Sequence, residues 1–259
     1  LNHASIIIRY KDVSLLTDPW YSGSCYRGGW RLRFENPNAL DKAKSCTHLW
    51  ISHPHDDHLN FPTLRKLAEA DSGLTVIANN SANIDLQEPL RQVGFKNIIP
   101  FPERRAIHLS PNFKIIRYPC SSYDSMMAIY LPEFTILNFN DCNLPVAAIH
   151  TLAKKIGKID VLLTNYNHAG KIFHYPSNEI VKEELKNKFR VLTDMVKSRW
   201  VIPFATGHYY SFPSSMAQND AVLMPKDLSS SVSEVLHVTY GDKVTFTLGP
   251  NKNAQFEFL

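Results

Sequence analysis

Runs of apolar residues, many of them β-branched, dominate the first half of the chain and predict strands. The runs lie at residues 5–9, 13–17, 47–52, 74–78, 113–118, 126–131 and 134–140. Pro132 and Glu133 separate the last two runs by a tight break, which is typical of a hairpin. The pattern therefore predicts mainly β structure up to residue 140.

Helical spacing is clearest after Asn178, where apolar residues recur every three or four positions and Ser177 or Asn178 can cap the helix. Shorter helices are predicted at residues 61–70, 84–93 and 145–156. Each helix is followed by a further apolar run, at residues 74–78, 96–99, 159–163 and 200–204. This order favours two sheets between layers of helices, in a single domain over residues 1–259.

Two stretches, residues 20–44 and 209–225, lack regular periodicity and are predicted to be long loops. Loops of this length inside a compact domain usually carry function. We therefore expect both stretches to frame a site.

The composition is that of a globular protein, with 44% hydrophobic and 20% charged residues in 259. Its 28 basic and 24 acidic residues are spread along the chain, which argues against a nucleic-acid groove or a polybasic membrane patch. The sequence contains no apolar run of the length of a membrane span and no secretory signal pattern at its start. Four dispersed cysteines fit reduced thiols, so we expect a cytoplasmic protein; since the sequence begins at Leu1, a preceding segment or domain stays open.

A cluster of metal-binding residue types, His53, His55, Asp57 and His58, follows the predicted strand 47–52 with the spacing HxHxDH. In an extended chain, residues two apart point to the same side, so His53 and His55 can face one cation while Asp57 and His58 face a second. Imidazole and carboxylate suit zinc, iron or manganese. We expect one or two divalent transition-metal ions, with zinc the first expectation; the alternative is an exposed polar loop.

Together with His3-Ala4-Ser5 and Thr17-Asp18-Pro19, the HxHxDH signature resembles the metallo-β-lactamase superfamily. Within it, these motifs are similar to the branch that contains ascorbate-phosphate lactonases and N-acyl-phosphatidylethanolamine phospholipase D. The resemblance implies an α/β fold, a four-layer αββα sandwich with metal ions at the rim where strand-end loops converge. It also implies that Asp141, at the end of the predicted strand 134–140, bridges two metal ions; the alternative is that Asp141 caps the following helix.

Two histidines of the superfamily pattern have no direct counterpart. Where relatives carry a third histidine, this chain has Ser122, with Asp124, Cys120 and His108 as alternative ligands. Where relatives carry the last histidine, it has Ala205, and His208 is expected to bind metal in its place. His168 follows another predicted strand and should reach the same rim, as a ligand or a proton carrier.

Several side chains near the expected rim are candidates for binding a small-molecule substrate. His3 precedes the first strand, at a position that in this branch lies near the metals. Forked arginine contacts and aromatic faces suit an anionic or sugar-like substrate, and the candidates of these types are Tyr26, Arg27, Arg31 and Tyr123. For the arginine-rich loop, a solvated surface role is the alternative.

Short motifs at Asp124-Ser125, residues 137–142 and residues 202–205 also resemble the metallo-β-lactamase-like domain of CMP-N-acetylneuraminate hydroxylase. Two enzymatic functions follow. The first is hydrolysis of an ester, lactone or phosphodiester, in which a cation activates water and Asp57 orients it. The second, implied by the hydroxylase resemblance, is a non-haem iron oxygenase that would need an electron-transfer partner. A degenerate metal-binding scaffold is a third reading, and no nucleic-acid partner is expected.

Overall fold

The computed structural model describes residues 3–70, 73–81, 84–121, 123–168, 177–238, 241–249 and 252–258. Its strands are β1 (Ile6–Tyr10), β2 (Val13–Thr17), β3 (Ser24–Cys25), β4 (Trp30–Leu32), β5 (His48–Ile51), β6 (Thr75–Ser81), β7 (Ile84–Asp85), β8 (Ile98–Phe101), β9 (Ala106–Ser110), β10 (Phe113–Pro119), β11 (Ser125–Leu131), β12 (Phe134–Asn140), β13 (Val161–Thr164), β14 (Trp200–Pro203), β15 (His208–Tyr210), β16 (Glu234–Val235), β17 (Lys243–Gly249) and β18 (Lys252–Phe258). Its α-helices are α1 (Ala39–Lys44), α2 (Phe61–Glu69), α3 (Gln87–Val93), α4 (Val146–Ile156) and α5 (Asn178–Val196). Short 3-10 segments lie at Tyr26–Gly28, Met216–Ala221 and Pro225–Asp227.

Two large sheets and one small sheet make up the β structure. The first follows the order β17-β18-β1-β2-β5-β6-β7, with β8 beside β6, and the second follows β16-β14-β13-β12-β11-β10-β9. The small sheet has the order β15-β4-β3. In the first sheet β2, β5, β6 and β8 run parallel, and in the second β12, β13, β14 and β16 do.

The two large sheets are buried on both faces, which explains their continuous apolar sequence runs. Along β1, Ile6 and Ile8 point into a core shared by both sheets, whereas Ile7 points to an outer core beneath α1, α2 and α3. Along β12, Ile136 joins the shared core and Leu137 an outer core beneath α4 and α5. This alternation follows from the two-residue period of a strand. The expected four-layer αββα sandwich is therefore confirmed.

The helix predictions are confirmed for α2, α4 and α5, and the Ser177 hydroxyl caps α5 by accepting from the Ile180 N–H. The prediction of a helix from residue 84 is wrong at its start. Ile84–Asp85 pairs with β6 as a strand, and the Asp85 carboxylate accepts the Gln87 N–H where α3 begins. The local hydrogen bond of Asp85 thus competes with helix formation.

The two stretches predicted to be long loops contain regular structure, so that prediction is wrong in detail. Residues 20–44 include β3, β4 and α1, and residues 209–225 include most of β15 and a 3-10 segment. In β4 only Trp30 and Leu32 are buried and Arg31 is exposed. Strands of two or three residues are too short for a period to show in the sequence.

Among the described residues, none of the helices has the length and apolar character needed to cross a bilayer. The single domain over residues 1–259 stays a prediction. All four cysteines are free thiols, and Cys25, Cys46 and Cys142 are buried.

Candidate metal centre

The HxHxDH residues lie in a tight turn between β5 and α2. The N–H groups of His58 and Leu59 both donate to the His55 carbonyl, at 2.9 and 2.7 Å. Asn60 caps α2 by accepting the Thr63 N–H at 3.1 Å. The strand, the turn and the cap together place the imidazoles at the carboxyl end of β5, the edge where parallel sheets usually bind ligands.

Loops from other strands bring further donors to the same edge. His3 precedes β1, Asp18 follows β2, Asp124 precedes β11 and Asp141 follows β12. The ligating atoms gather in three overlapping groups, each of two histidines and one carboxylate. These groups are His53, His55 and Asp124; His53, His58 and Asp141; and His3, His58 and Asp57. Within each group the ligating atoms lie within 4.8 Å of one another.

Asp18 and Ser52 determine which nitrogen of two histidines carries hydrogen. Because the Ser52 hydroxyl donates its single hydrogen to Asp18 Oδ2 at 2.7 Å, it must accept from His53 Nδ1, 2.9 Å away. His58 Nδ1 donates to the same Asp18 oxygen at 2.9 Å. Both imidazoles therefore turn Nε2 toward the centre, the orientation that a metal ligand needs.

Three ligating atoms at the centre are buried without a hydrogen-bond partner among the described residues: His58 Nε2, Asp124 Oδ1 and Asp141 Oδ1. His58 Nε2 lies 3.4 Å from Asp57 Oδ2 and 3.6 Å from Asp141 Oδ2, which is beyond hydrogen-bond distance. Donors bonded to one zinc ion at ~2.1 Å and tetrahedral angles are about 3.4 Å apart. Buried polar atoms are normally paired, so the donor set and its spacing fit a divalent cation.

The charge balance supports the same conclusion. Burial opposes charge on His58, but Asp57, Asp141 and Asp18 outweigh it and raise the pKa of its imidazole well above the usual value. Burial would raise the pKa of Asp57 and Asp141, yet the facing His58 lowers both. Buried carboxylates in this number need positive charge beside them, from an imidazolium or from a bound cation.

His53 behaves differently from His58. Burial, reinforced by the positive charge of His58, lowers the pKa of His53 to about 4. Its Nε2 faces His55 Nδ1 at 2.8 Å, Asp141 Oδ2 at 3.7 Å and Asp124 Oδ1 at 3.8 Å. The neutral imidazole is the form that binds metal; without a cation, Nε2 accepts from His55 Nδ1.

Backbone strain is concentrated around the centre. His3, Asp18, Asn140 and Ala205 adopt the left-handed region with φ of 42°, 35°, 56° and 53°. Non-glycine residues avoid this region, and a protein retains them there when the surroundings require it. The Ala205 N–H donates to the His3 carbonyl at 3.0 Å, so a backbone hydrogen bond joins two of the strained residues.

Tyr26 and Tyr123 are partly exposed beside the centre. The Tyr26 hydroxyl donates to Asp57 Oδ1 at 2.5 Å, and burial together with the Asp57 charge raises its pKa. The Tyr123 ring is 48% exposed and stands edge-on to His55, with ring centroids 5.9 Å apart. Arg27 and Arg31 are exposed on the neighbouring small-sheet segment. Their role in binding substrate stays a prediction.

His3, predicted to bind substrate, is buried and only 3% exposed. Its Nε2 lies 2.7 Å from Asp57 Oδ2, which places it inside one of the three groups. His208 stacks on Trp30 with ring centroids 3.7 Å apart and lies 5.5 Å from His3. Burial lowers the pKa of His208 to about 3, and the residue lies outside the three groups.

His168 does not join the three groups either. It lines a cavity of about 430 Å³ together with Cys142, Tyr166 and Phe189, between the ends of β12 and β13 and helix α5. The roles predicted for His168 and His208 stay predictions. Of the alternatives for the missing third histidine, Asp124 reaches His53, His108 lies within β9, and Ser122 is outside the described residues.

Sequence reasoning assigned no role in the site to Asp18, Ser52 or Asn140. Asp18 is fully buried and accepts from the Ser52 N–H, the Ser52 hydroxyl, His58 Nδ1 and the Asn140 amide. Its only sequence signal was its place in the Thr17-Asp18-Pro19 motif.

The chain is similar in sequence to several curated proteins and similar in fold to several solved structures. No protein-family model matches the chain. The human inactive cytidine monophosphate-N-acetylneuraminic acid hydroxylase is 25% identical over 96% of this chain and 53% of its own length. The hydroxylase of Pongo pygmaeus is 25% identical over 96% of this chain and 44% of its own length. That of Sus scrofa is 29% identical over 55% of this chain and 34% of its own length. The chain thus spans about half or less of these curated relatives.

Among solved structures, the metallo-β-lactamase fold protein YhfI from Bacillus subtilis matches with a TM-score of 0.56 and 14% identity, over 91% of this chain and 89% of that one. The short form of human tRNase Z matches with a TM-score of 0.51 and 11% identity, over 78% of this chain and 85% of that one. The chain has the metallo-β-lactamase fold and is similar in sequence to the hydroxylases. The predicted fold and the resemblance to the hydroxylases are confirmed. The resemblance to the lactonase and phospholipase D branch stays a prediction.

Proposed function

We propose that the protein is a metal-dependent hydrolase of a small ester, lactone or phosphodiester. The observation that carries the proposal is that three buried ligating atoms without a hydrogen-bond partner among the described residues, His58 Nε2 and one oxygen each of Asp124 and Asp141, belong to residues of overlapping ligand groups at the rim. The residues that would hold one or two cations are His53, His55, His58, Asp57, Asp124 and Asp141, with His3 beside them. Zinc is the first expectation, with iron or manganese as alternatives.

A cation in this position would lower the pKa of bound water from about 15.7 to about 7 and polarise a substrate oxygen. The residues of the chain would orient the metal ligands and the attacking water. Asp18 and Ser52 hold Nε2 of His53 and His58 toward the centre. Asp57 Oδ2 faces the centre, 3.4 Å from His58 Nε2, where the carboxylate would help to hold the cation and to orient the attacking water. The proposed substrate approaches from the exposed side, where Tyr123, Arg27 and Arg31 can contact an anionic or sugar-like group. A cytoplasmic location and a proton-carrying role for His168 belong to the same proposal.

The first experiment measures metal content in protein purified without chelators or added metal. We expect about one or two transition-metal ions per wild-type chain and a clear loss in His55→Ala, because each structural ligand contributes strongly to metal affinity. His150→Ala is the matched control, since His150 is exposed on α4. Loaded protein should hydrolyse at least one class of a model panel of esters, lactones and phosphodiesters. Wild-type protein that binds no metal would contradict the proposal and favour a scaffold.

A second candidate is a non-haem iron oxygenase. Two observations favour it: each ligand group consists of two histidines and one carboxylate, a set typical of iron(II) oxygenases, and the sequence relatives are hydroxylases. Such an enzyme would need electrons from a partner. The test supplies iron(II), a reductant and cytidine monophosphate-N-acetylneuraminic acid, and follows dioxygen uptake and product mass. Substrate-dependent uptake with iron, absent with zinc, would support oxidation over hydrolysis.

A further inference from the structure

Tyr26 occupies an unusual backbone position beside the metal centre. Tyr26 and Arg27 have φ of 52° and 55°, and Gly28 follows with φ of 93°. Residues other than glycine are unfavourable in this left-handed region. Two such residues in succession must be held by contacts elsewhere.

The holding contacts come mainly from the HxHxDH turn. The Tyr26 N–H donates to Asp56 Oδ2 at 3.1 Å, and the Cys25 thiol donates to the Asp56 carbonyl at 3.1 Å. On the far side, the Ser211 hydroxyl donates to the Gly28 carbonyl at 2.5 Å. The ring of Tyr26 stands edge-on to Trp30, with centroids 4.7 Å apart. The turn that carries the metal-binding residues therefore also fixes the backbone and ring of Tyr26.

The hydroxyl of Tyr26 completes a pair of contacts on Asp57. It donates to Oδ1 at 2.5 Å, while His3 Nε2 lies 2.7 Å from Oδ2. An O–H···O⁻ contact of this length is in the range of charge-assisted hydrogen bonds. Asp57 Oδ2 is the oxygen beside His58 Nε2, at 3.4 Å, whereas Oδ1 faces the Tyr26 hydroxyl.

We propose that Tyr26 is a positioning residue for Asp57: its hydroxyl holds Oδ1 so that the carboxylate meets a cation through Oδ2 alone. The inference rests on the proposed metal-dependent function. The packing of Tyr26 needs only its ring, and the hydroxyl serves the carboxylate. The neighbouring acidic residue, Asp56, does not contact Asp57 through Tyr26 directly but holds the strained backbone of Tyr26 by accepting its N–H.

The test uses Tyr26→Phe, which keeps the ring on Trp30 and removes the hydroxyl. We expect zinc affinity, measured by competition with a chromophoric chelator, to fall about tenfold, the lower end of the range for partners of metal ligands. We also expect the visible spectrum of the cobalt(II)-loaded protein to change, because a released carboxylate can bind through both oxygens. Tyr130→Phe is the control, since Tyr130 lies near the opposite end of β11 from Asp124 and its ring contacts Lys114.

Two further variants keep the outcome decisive. Asp56→Ala should weaken zinc binding in the same direction, because it frees the backbone of Tyr26 while leaving the hydroxyl in place. In an Asp57→Ala background, Tyr26→Phe should have no further effect. A Tyr26→Phe protein with wild-type zinc affinity and an unchanged cobalt spectrum would overturn the positioning role and leave the hydrolase proposal intact. Wild-type protein that binds neither metal would overturn both.

Discussion

The two ends of the candidate metal centre are built differently. At the buried end, Asp18 and His58 are fully buried and His3 is 3% exposed, and Asp18 makes four hydrogen bonds to its neighbours. At the open end, the Asp124 side chain is 23% exposed and the Asp141 side chain 16%, and each keeps one oxygen without a hydrogen-bond partner among the described residues.

This difference implies a division of roles. The protein itself holds the donors at the buried end, so that end should form whether or not a cation is bound. At the open end the support is weaker: Asp124 Oδ2 accepts from the Ser121 hydroxyl at 3.0 Å, while Oδ1 of Asp124 and Oδ1 of Asp141 have no hydrogen-bond partner among the described residues, so we expect these carboxylates to depend more on a cation. Substitutions at the buried end should therefore lower stability, and those at the open end should lower metal affinity.

The largest effect should follow Asp18→Ala. It leaves the Ser52, His58 and Asn140 donors buried without an acceptor, and breaking a buried charged network typically costs about 3–5 kcal/mol. Denaturant unfolding of metal-free protein measures the loss. Asp41→Ala is the control, because the Asp41 side chain is 78% exposed and forms a surface ion pair with Lys44, so we expect a change within about 0.5 kcal/mol. If Asp18→Ala were as stable as Asp41→Ala, the buried end would not contribute to stability, and the proposed difference between the two ends would be wrong.

Asp124→Ala should show the opposite pattern. We expect zinc affinity to fall about tenfold or more, because one ligand is lost, while the unfolding free energy of metal-free protein changes by less than about 1 kcal/mol. Isothermal titration with zinc and chelator-treated unfolding curves measure the two quantities separately. Unchanged zinc affinity would show that Asp124 does not replace the missing histidine, and a large loss of stability would place it with the buried end.

The smallest effect is expected at Glu257, a buried carboxylate outside the centre that provides a reference. Burial would raise its pKa, but the Lys42 ammonium at 2.8 Å, with Lys243 and Arg9 further away, lowers it below the usual value. A lowered pKa means that the ionised form stabilises the fold above the unfolded pKa of about 4.3, and that this stabilisation is lost as the pH falls through the folded pKa.

Glu257→Gln should therefore lower the unfolding free energy at pH 7 by about 1 kcal/mol, since the lysine partners are partly exposed. The difference from wild type should shrink as the pH falls below about 4, which urea unfolding across a pH series can follow. A difference that stays constant with pH would mean that packing, and not charge, sets the contribution of Glu257.

Local sequence features predicted the candidate ligands that lie together in the turn after β5. The six residues from His53 to His58 carry their own turn, and their residue types alone pointed to a cation. The same holds for strands such as β10, β11 and β12 and for α5, whose apolar period extends over many residues. The seven-residue strands β17 and β18 were not predicted. The short strands β3 and β4 escaped prediction because two or three residues cannot display a period.

The sequence by itself determined the sandwich and the turn that carries the histidines, because period and spacing act between neighbours in the chain. Only the tertiary structure decided which distant residues complete the centre. Asp18 meets Asn140 across 122 residues, and Asp124 comes to His53 from another sheet. Such contacts depend on strand order and on strained strand ends, and neither leaves a periodic pattern in the residues themselves.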